Sequence, residues 1–167
     1  NTINKHKKHK KKIKKHQRIS HYSYGRYGSS TTIELENILK ELEQAFHVFL
    51  TGTGFGGVAL AIMSLCRPGD ELLVSDNVYG PTKEISEKLL KEFNVEAKFY
   101  NPDSFEELKK KISKKTKLIL VENPGSNTFE FQDLKKIVNL AKRRKILTFL
   151  DNTWGTPLYL KPLKLGF

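Results

Sequence analysis

Leu35, Ile38, Leu39 and Leu42 recur at i, i+3, i+4 and i+7, one face of a helix, so the spacing predicts a helix over residues 32–44. Thr31 followed three residues later by Glu34 reads as its capping box. Residues 46–51 form a short apolar run, a strand candidate. Residues 52–57 are a glycine-rich turn, and 58–66 an almost wholly apolar helix that ends at Arg67-Pro68-Gly69. From there strands and helices alternate. Strands are expected at 71–75, 95–100, 117–121 and 146–150, and helices at 81–93, after Ser104 (with Glu107 as its box partner) and at 134–144. In the last helix Leu134, Ile137, Val138 and Ala141 share a face. Regular alternation with short connections predicts an α/β fold, a largely parallel sheet flanked by helices.

Charge divides the chain more sharply than hydropathy does. The 167 residues carry a net +12, but residues 1–18 hold nine Lys/Arg and no acid. Residues 19–167 then carry 21 Lys/Arg against 18 Asp/Glu, or +3. Residues 1–20 therefore read as a basic, disordered arm, and 21–167 as the folded domain. Such an arm could meet phosphates, but it lacks interleaved aromatics and no base-reading module follows, so nucleic acid is not the expected partner. His6, His9, His16 and His21 have no Cys or acidic companion there, and no metal site is expected. The single Cys66 cannot form an intrachain disulfide, which suits a cytoplasmic protein, and no apolar span is long enough to cross a membrane.

Three stretches carry candidate chemistry. Gly52-Thr53-Gly54-Phe55-Gly56-Gly57 matches G-x-G-x-x-G, with Asp76 following Gly57 by 19 residues, the outline of a nicotinamide dinucleotide site. The same glycines could instead hold one phosphate on helix N–H groups, or only allow close packing. Tyr79, in Asp76-Asn77-Val78-Tyr79-Gly80-Pro81, sits at a strand's carboxyl end and could stack on a flat ring. Asp151, in Phe149-Leu150-Asp151-Asn152-Thr153-Trp154, ends an apolar strand where ligands of open α/β sheets bind. It could pair with a protonated ring nitrogen, or merely cap a turn. One phosphate site, one stacking ring and one carboxylate for a ring nitrogen together describe pyridoxal phosphate.

These residues resemble the pyridoxal-phosphate enzymes of cysteine and methionine metabolism, most closely the cystathionine β-lyase branch. The resemblance runs from His21 to Phe167. Tyr24-Gly25-Arg26-Tyr27-Gly28 is similar to the family's Tyr-x-Arg-x-Gly, which implies that Tyr24 and Arg26 reach the phosphate of a neighbouring subunit in a homo-oligomer. It also implies that Gly54 and Phe55 give N–H groups to the phosphate, that Tyr79 stacks on the ring and that Asp151 binds the pyridine nitrogen. Glu122-Asn123-Pro124-Gly125-Ser126 resembles the Glu-Ser-Pro-Gly-Ser of β-lyases, and Asp151-Asn152-Thr153-Trp154 suits the same branch, which adds Ser126 and Thr153 to the cofactor-binding set. The implied fold is the N-terminal part of an aspartate-aminotransferase-type (fold type I) cofactor-binding domain. The implied substrate is cystathionine, cleaved with water to homocysteine, pyruvate and ammonia in methionine biosynthesis.

The family's Schiff-base lysine has no counterpart here, since Lys161 and Lys164 do not stand in its Ser/Ala-x-Thr-Lys-like motif. No residue is therefore assigned as catalytic. The rest of the large domain and the small domain are likewise absent, so the expectation is a fragment, inactive by itself. Other readings stay open: a cystathionine γ-synthase or γ-lyase type of trans-sulfuration enzyme, an NAD(P)-dependent oxidoreductase resting on the glycine turn, and a basic nucleic-acid-binding protein.

Overall fold

The computed structural model describes residues 28–167, so the expected arm at 1–20 and the candidates Tyr24 and Arg26 lie outside the described residues. The described residues fall into two compact units, one ending at Leu50 and one running from Thr51 to Phe167.

The first unit holds helix α1 (Ser30–Glu43). The helix begins two residues before the expected start, and Thr31 and Glu34 do not cap it. Ser29 is the cap: its backbone is extended, its hydroxyl accepts the Thr32 N–H, and the Thr32 hydroxyl accepts the Ser29 N–H. A box needs its first residue outside the helix, and Thr31 already lies within it. The strand expected at 46–51 is not formed. Phe46 is 95% exposed, Phe49 is exposed, and the His47 ring meets Phe49 edge-on with centroids 4.9 Å apart. A six-residue apolar run does not distinguish strand from loop by periodicity, and this one has no ladder partner among the described residues.

The second unit is a four-stranded sheet with helices on both faces. In chain order come α2 (Gly54–Leu65), β1 (Glu71–Ser75) and α3 (Gly80–Glu84). A π-helical turn (Ile85–Leu89) joins α3 to α4 (Leu90–Glu92), followed by β2 (Glu96–Tyr100), α5 (Phe105–Lys111) and β3 (Thr116–Glu122). Then come α6 (Leu134–Arg144), β4 (Leu147–Asp151), α7 (Thr156–Tyr159) and α8 (Pro162–Leu165). The expected strands and helices of this unit are all present, displaced by a few residues at some ends. The helix expected at 58–66 starts four residues earlier, because Thr53 caps it by accepting the Gly56 N–H. Ser104 caps α5 by accepting the Glu107 N–H, but the Glu107 carboxylate turns to the Asn101 N–H, so the expected box is only half formed.

All three strand pairings are parallel, in the order β2-β1-β3-β4. The two central strands alternate their apolar side chains between two cores. Leu72, Val74, Leu118 and Leu120 meet α2 through Val58 and Ile62. Leu73, Ile119 and Val121 meet Leu108 of α5 and the Leu134, Ile137, Leu140 and Ala141 stripe of α6. Strands covered on both faces read as continuous apolar runs, as these do. Cys66 is a free thiol buried in the first core, where burial and Asp70 push its pKa up to about 11.

A buried charge pins the amino-terminal end of the sheet. Glu71, 1% exposed, accepts hydrogen bonds from Lys98 of β2 and from the Thr116 hydroxyl of β3 at 2.6 Å. Burial acts to raise the Glu71 pKa, but the bonds from Lys98 and Thr116 outweigh it and hold the carboxyl below its ordinary value.

Candidate functional site at the carboxyl ends of the strands

The strand order creates a switch point. From β1 the chain moves outward to β2, then returns to the other side of β1 as β3 and continues outward to β4. The connections from β1 and β3 therefore lead to opposite edges of the sheet, and the residues beyond their carboxyl ends stand at the position where open α/β sheets bind ligands. The residues leaving β1 are Asp76 to Tyr79, and those leaving β3 are Asn123 to Ser126. Four of the candidate residues gather at this edge of the sheet.

Asp151 ends β4 and stands beside Glu122, its register partner on β3. Its Oδ1 accepts the Thr153 N–H at 3.0 Å and the Thr153 hydroxyl, so the carboxylate does cap a turn. Its Oδ2 makes no hydrogen bond among the described residues, and the half-buried carboxylate keeps one oxygen for an incoming donor. The two sequence readings of Asp151 are thus compatible: one oxygen fixes the side chain and the other is offered.

Tyr79 immediately precedes α3, with its ring half exposed. Its backbone N–H donates to Glu122 Oε2 at 2.7 Å, which ties the β1 exit to the β3 end. Ser126 is tied the same way, its N–H donating to the Asn77 carbonyl at 2.9 Å. Gly125 passes so close to Asn77 that a Cβ there would lie 2.8 Å from Asn77 Cγ and nearer still to its Nδ2. Only glycine permits that approach. The Asn123–Pro124 peptide just before it is cis.

Gly54 and Phe55 open α2. A five-residue turn joins α2 to β1, so the helix runs antiparallel to the strand and its amino end lies toward the end of the sheet where β1 stops. Thr53 caps the Gly56 N–H, and the Gly57 N–H bonds to the Thr53 carbonyl. The N–H groups of Gly54 and Phe55 have no partner among the described residues, and a Cβ on Gly54 would meet nothing within 4 Å. Unpaired amides at the start of a twelve-residue helix favour an anion. The strand that a dinucleotide fingerprint requires before the glycines is missing, and Asp76 is paired with Lys83 at 2.5 Å. That weakens the nicotinamide reading. Open amides for a phosphate, an aromatic ring, and a carboxylate with a free oxygen for a ring N–H are a donor set that fits pyridoxal phosphate.

The sequence did not single out Glu122 by itself. It is 4% exposed, receives the Tyr79 N–H and sits next to Asp151. Burial pushes its carboxyl above the ordinary value, the Tyr79 amide opposes this, and the Asp151 charge reinforces it. The available signal was an acid closing the apolar run Leu118-Ile119-Leu120-Val121. Among the described residues no group of His, Cys, Asp and Glu could hold a metal ion, and no helix is long and apolar enough to cross a membrane.

The family model for Cys/Met metabolism PLP-dependent enzymes matches residues 2–167. A cystathionine beta-lyase of Bordetella avium is 35% identical over 142 residues, 85% of this chain and 35% of that protein. An L-alanine/L-glutamate racemase of Wolbachia pipientis is 36% identical over 139 residues, 83% of this chain and 34% of its own length. The crystal structure of cystathionine gamma-lyase from Lactobacillus plantarum complexed with L-serine superposes with a TM-score of 0.83 at 28% identity. That match covers 88% of this chain and 38% of the other. The chain spans about a third to two fifths of the length of the curated relatives it matches.

Proposed function

Because the chain belongs to the Cys/Met metabolism PLP-dependent enzymes, we propose that it is the N-terminal part of a carbon–sulfur β-lyase that acts on cystathionine. The observation that carries this reading is the cluster at the switch point: Asp151 with one oxygen free, Tyr79 anchored to Asp151's register partner Glu122, and Ser126 held by Asn77. Bound pyridoxal phosphate supplies an electron-accepting ring for bonds made and broken at a substrate's α-carbon. Asp151 holds the proton on the ring nitrogen, and Thr153 fixes the carboxylate that does so. Tyr79 covers a face of the ring, the Gly54 and Phe55 amides bind the phosphate, and Ser126 lines the same edge. Tyr24 and Arg26 serve the phosphate of a neighbouring subunit in a cytoplasmic homo-oligomer.

The reaction on cystathionine is elimination at the β-carbon with release of homocysteine, the remainder leaving as pyruvate and ammonia. The γ-elimination alternative draws support from the likeness to the Lactobacillus plantarum enzyme. The full natural polypeptide that contains these residues distinguishes the two. With cystathionine it should release pyruvate and homocysteine in equal amounts, whereas release of cysteine and 2-oxobutyrate would assign it to the γ-branch. The 167 residues alone should turn over neither, because they offer no lysine in the Schiff-base motif to act as covalent anchor and base.

A further inference from the structure

We propose that Glu122 is a positioning residue of the cofactor site: its buried carboxylate holds the main chain of Tyr79 and so fixes where the Tyr79 ring stands beside Asp151. The inference rests on the function proposed above and adds a residue to it. Three contacts carry it. Glu122 Oε2 accepts the Tyr79 N–H at 2.7 Å across 43 residues of sequence. The Glu122 N–H is itself fixed by the Ser75 hydroxyl at 3.3 Å, so the acid is held by the strand that leads to Tyr79. On its other side it is in register with Asp151 across the β3–β4 ladder.

The other main-chain bond of Tyr79 lies within the helix it opens, its carbonyl accepting the Lys83 N–H at 3.1 Å. Tyr79 precedes a five-residue helix and makes no side-chain cap hydrogen bond. Its amide is one of the first-turn donors that a helix leaves unmatched, and an acid from a neighbouring strand satisfies it. The groups that face the Glu122 carboxylate are the Tyr79 amide from the start of α3, the Ser126 side chain beyond β3 and the Asp151 carboxylate on β4. Two carboxylates side by side repel, and the more buried one, Glu122, more readily takes up a proton. Glu122 thus stands between Tyr79, whose amide it holds, and Asp151, its register partner.

The test compares Glu122→Gln and Glu122→Ala in the same chain, with two readouts. Gln keeps an oxygen that can accept the Tyr79 N–H, and Ala removes it. Amide hydrogen exchange without cofactor should show Tyr79 protected in the wild type and in Glu122→Gln, and exposed in Glu122→Ala. Titration with pyridoxal phosphate should show a Kd raised about tenfold or more in Glu122→Ala, the loss of one hydrogen bond to a charged group. The circular dichroism of the bound cofactor, which reports ring orientation, should change with it. In Glu122→Gln the orientation signal should persist, while any wild-type pH dependence of Kd that arises from a carboxyl titrating above its ordinary value disappears.

A Glu122→Ala chain that melts like the wild type and binds pyridoxal phosphate with the same Kd and the same dichroism would overturn the inference and leave the proposed function standing. A wild-type chain that does not bind the cofactor at all would overturn both. If Glu122→Ala does not fold, a Glu122→Gln chain whose Tyr79 amide exchanges freely while pyridoxal phosphate binds with the wild-type Kd and dichroism would overturn the inference on its own.

Discussion

Replacing Lys98 by Met is expected to remove about 3 kcal/mol of folding stability at pH 7. Glu71 is 1% exposed at the base of β1, and Lys98 is the cation that answers its charge. Without Lys98 the carboxylate keeps only the Thr116 hydroxyl and the Ser113 bond, and a buried charge is left without a counter-ion. The figure is at the low end for a broken buried pair because the Lys98 side chain is 37% exposed and partly screened by water. The effect should also depend on pH. The folded-state pKa of Glu71 is lowered, so its stabilising contribution is full above the unfolded value of 4.5 and is lost as pH falls through the folded value below that. In the Met variant only the Thr116 and Ser113 bonds oppose burial, so the pKa lies above its wild-type value, the carboxyl protonates earlier and the penalty shrinks. Urea denaturation of the two chains should therefore show a gap at pH 7 that narrows toward pH 4. A gap under about 1 kcal/mol at pH 7, the size of an exposed pair, would place Glu71 in water.

Gly125→Ala should cost about 2–3 kcal/mol, as overpacking of a filled site does. The added Cβ would lie 2.8 Å from Glu130 Oε2 and 2.8 Å from Asn77 Cγ. Glu130 is partly exposed and can swing away. Asn77 is buried, and its carbonyl holds Ser126, so its displacement disturbs the exits of β1 and β3 together. Gly54→Ala is the control, since a Cβ there meets nothing within 4 Å, and thermal melting should leave it close to the wild type. Equal melting of the two variants would mean that Gly125 tolerates a side chain.

The sheet was legible because its signals are local. Helix α6 was read to the residue, since Leu134, Ile137, Val138 and Ala141 make an unbroken stripe and Asp133 caps it. Strand β1 was read to the residue as an apolar run closed by a loop. The run at 46–51 is also short and apolar yet forms no strand, because what decides is a pairing partner and not the run itself. The π-helical turn at Ile85–Leu89 inserts one residue into a helix without altering the apolar spacing enough to be seen. In the candidate site, Asp151, Tyr79 and the glycines could be picked out as strand-end and turn residues. Glu122 and Asn77 could not, since their roles are contacts with residues 43 and 49 positions away, which only the parallel register creates. The Lys98–Glu71–Thr116 cluster is hidden for the same reason.

Trp154 is the sole tryptophan, three residues after Asp151 and exposed, with its ring 5.0 Å from Phe129. It gives a direct reading of whether this edge of the sheet binds pyridoxal phosphate. Titration of the 167-residue chain with the cofactor should quench Trp154 fluorescence in a saturable way, and inorganic phosphate should compete. Asp151→Ala, which removes the carboxylate proposed to hold the ring nitrogen, should raise Kd by about tenfold or more. Quenching that does not saturate, or the same Kd in wild type and Asp151→Ala, would contradict the assignment of this edge as the cofactor site.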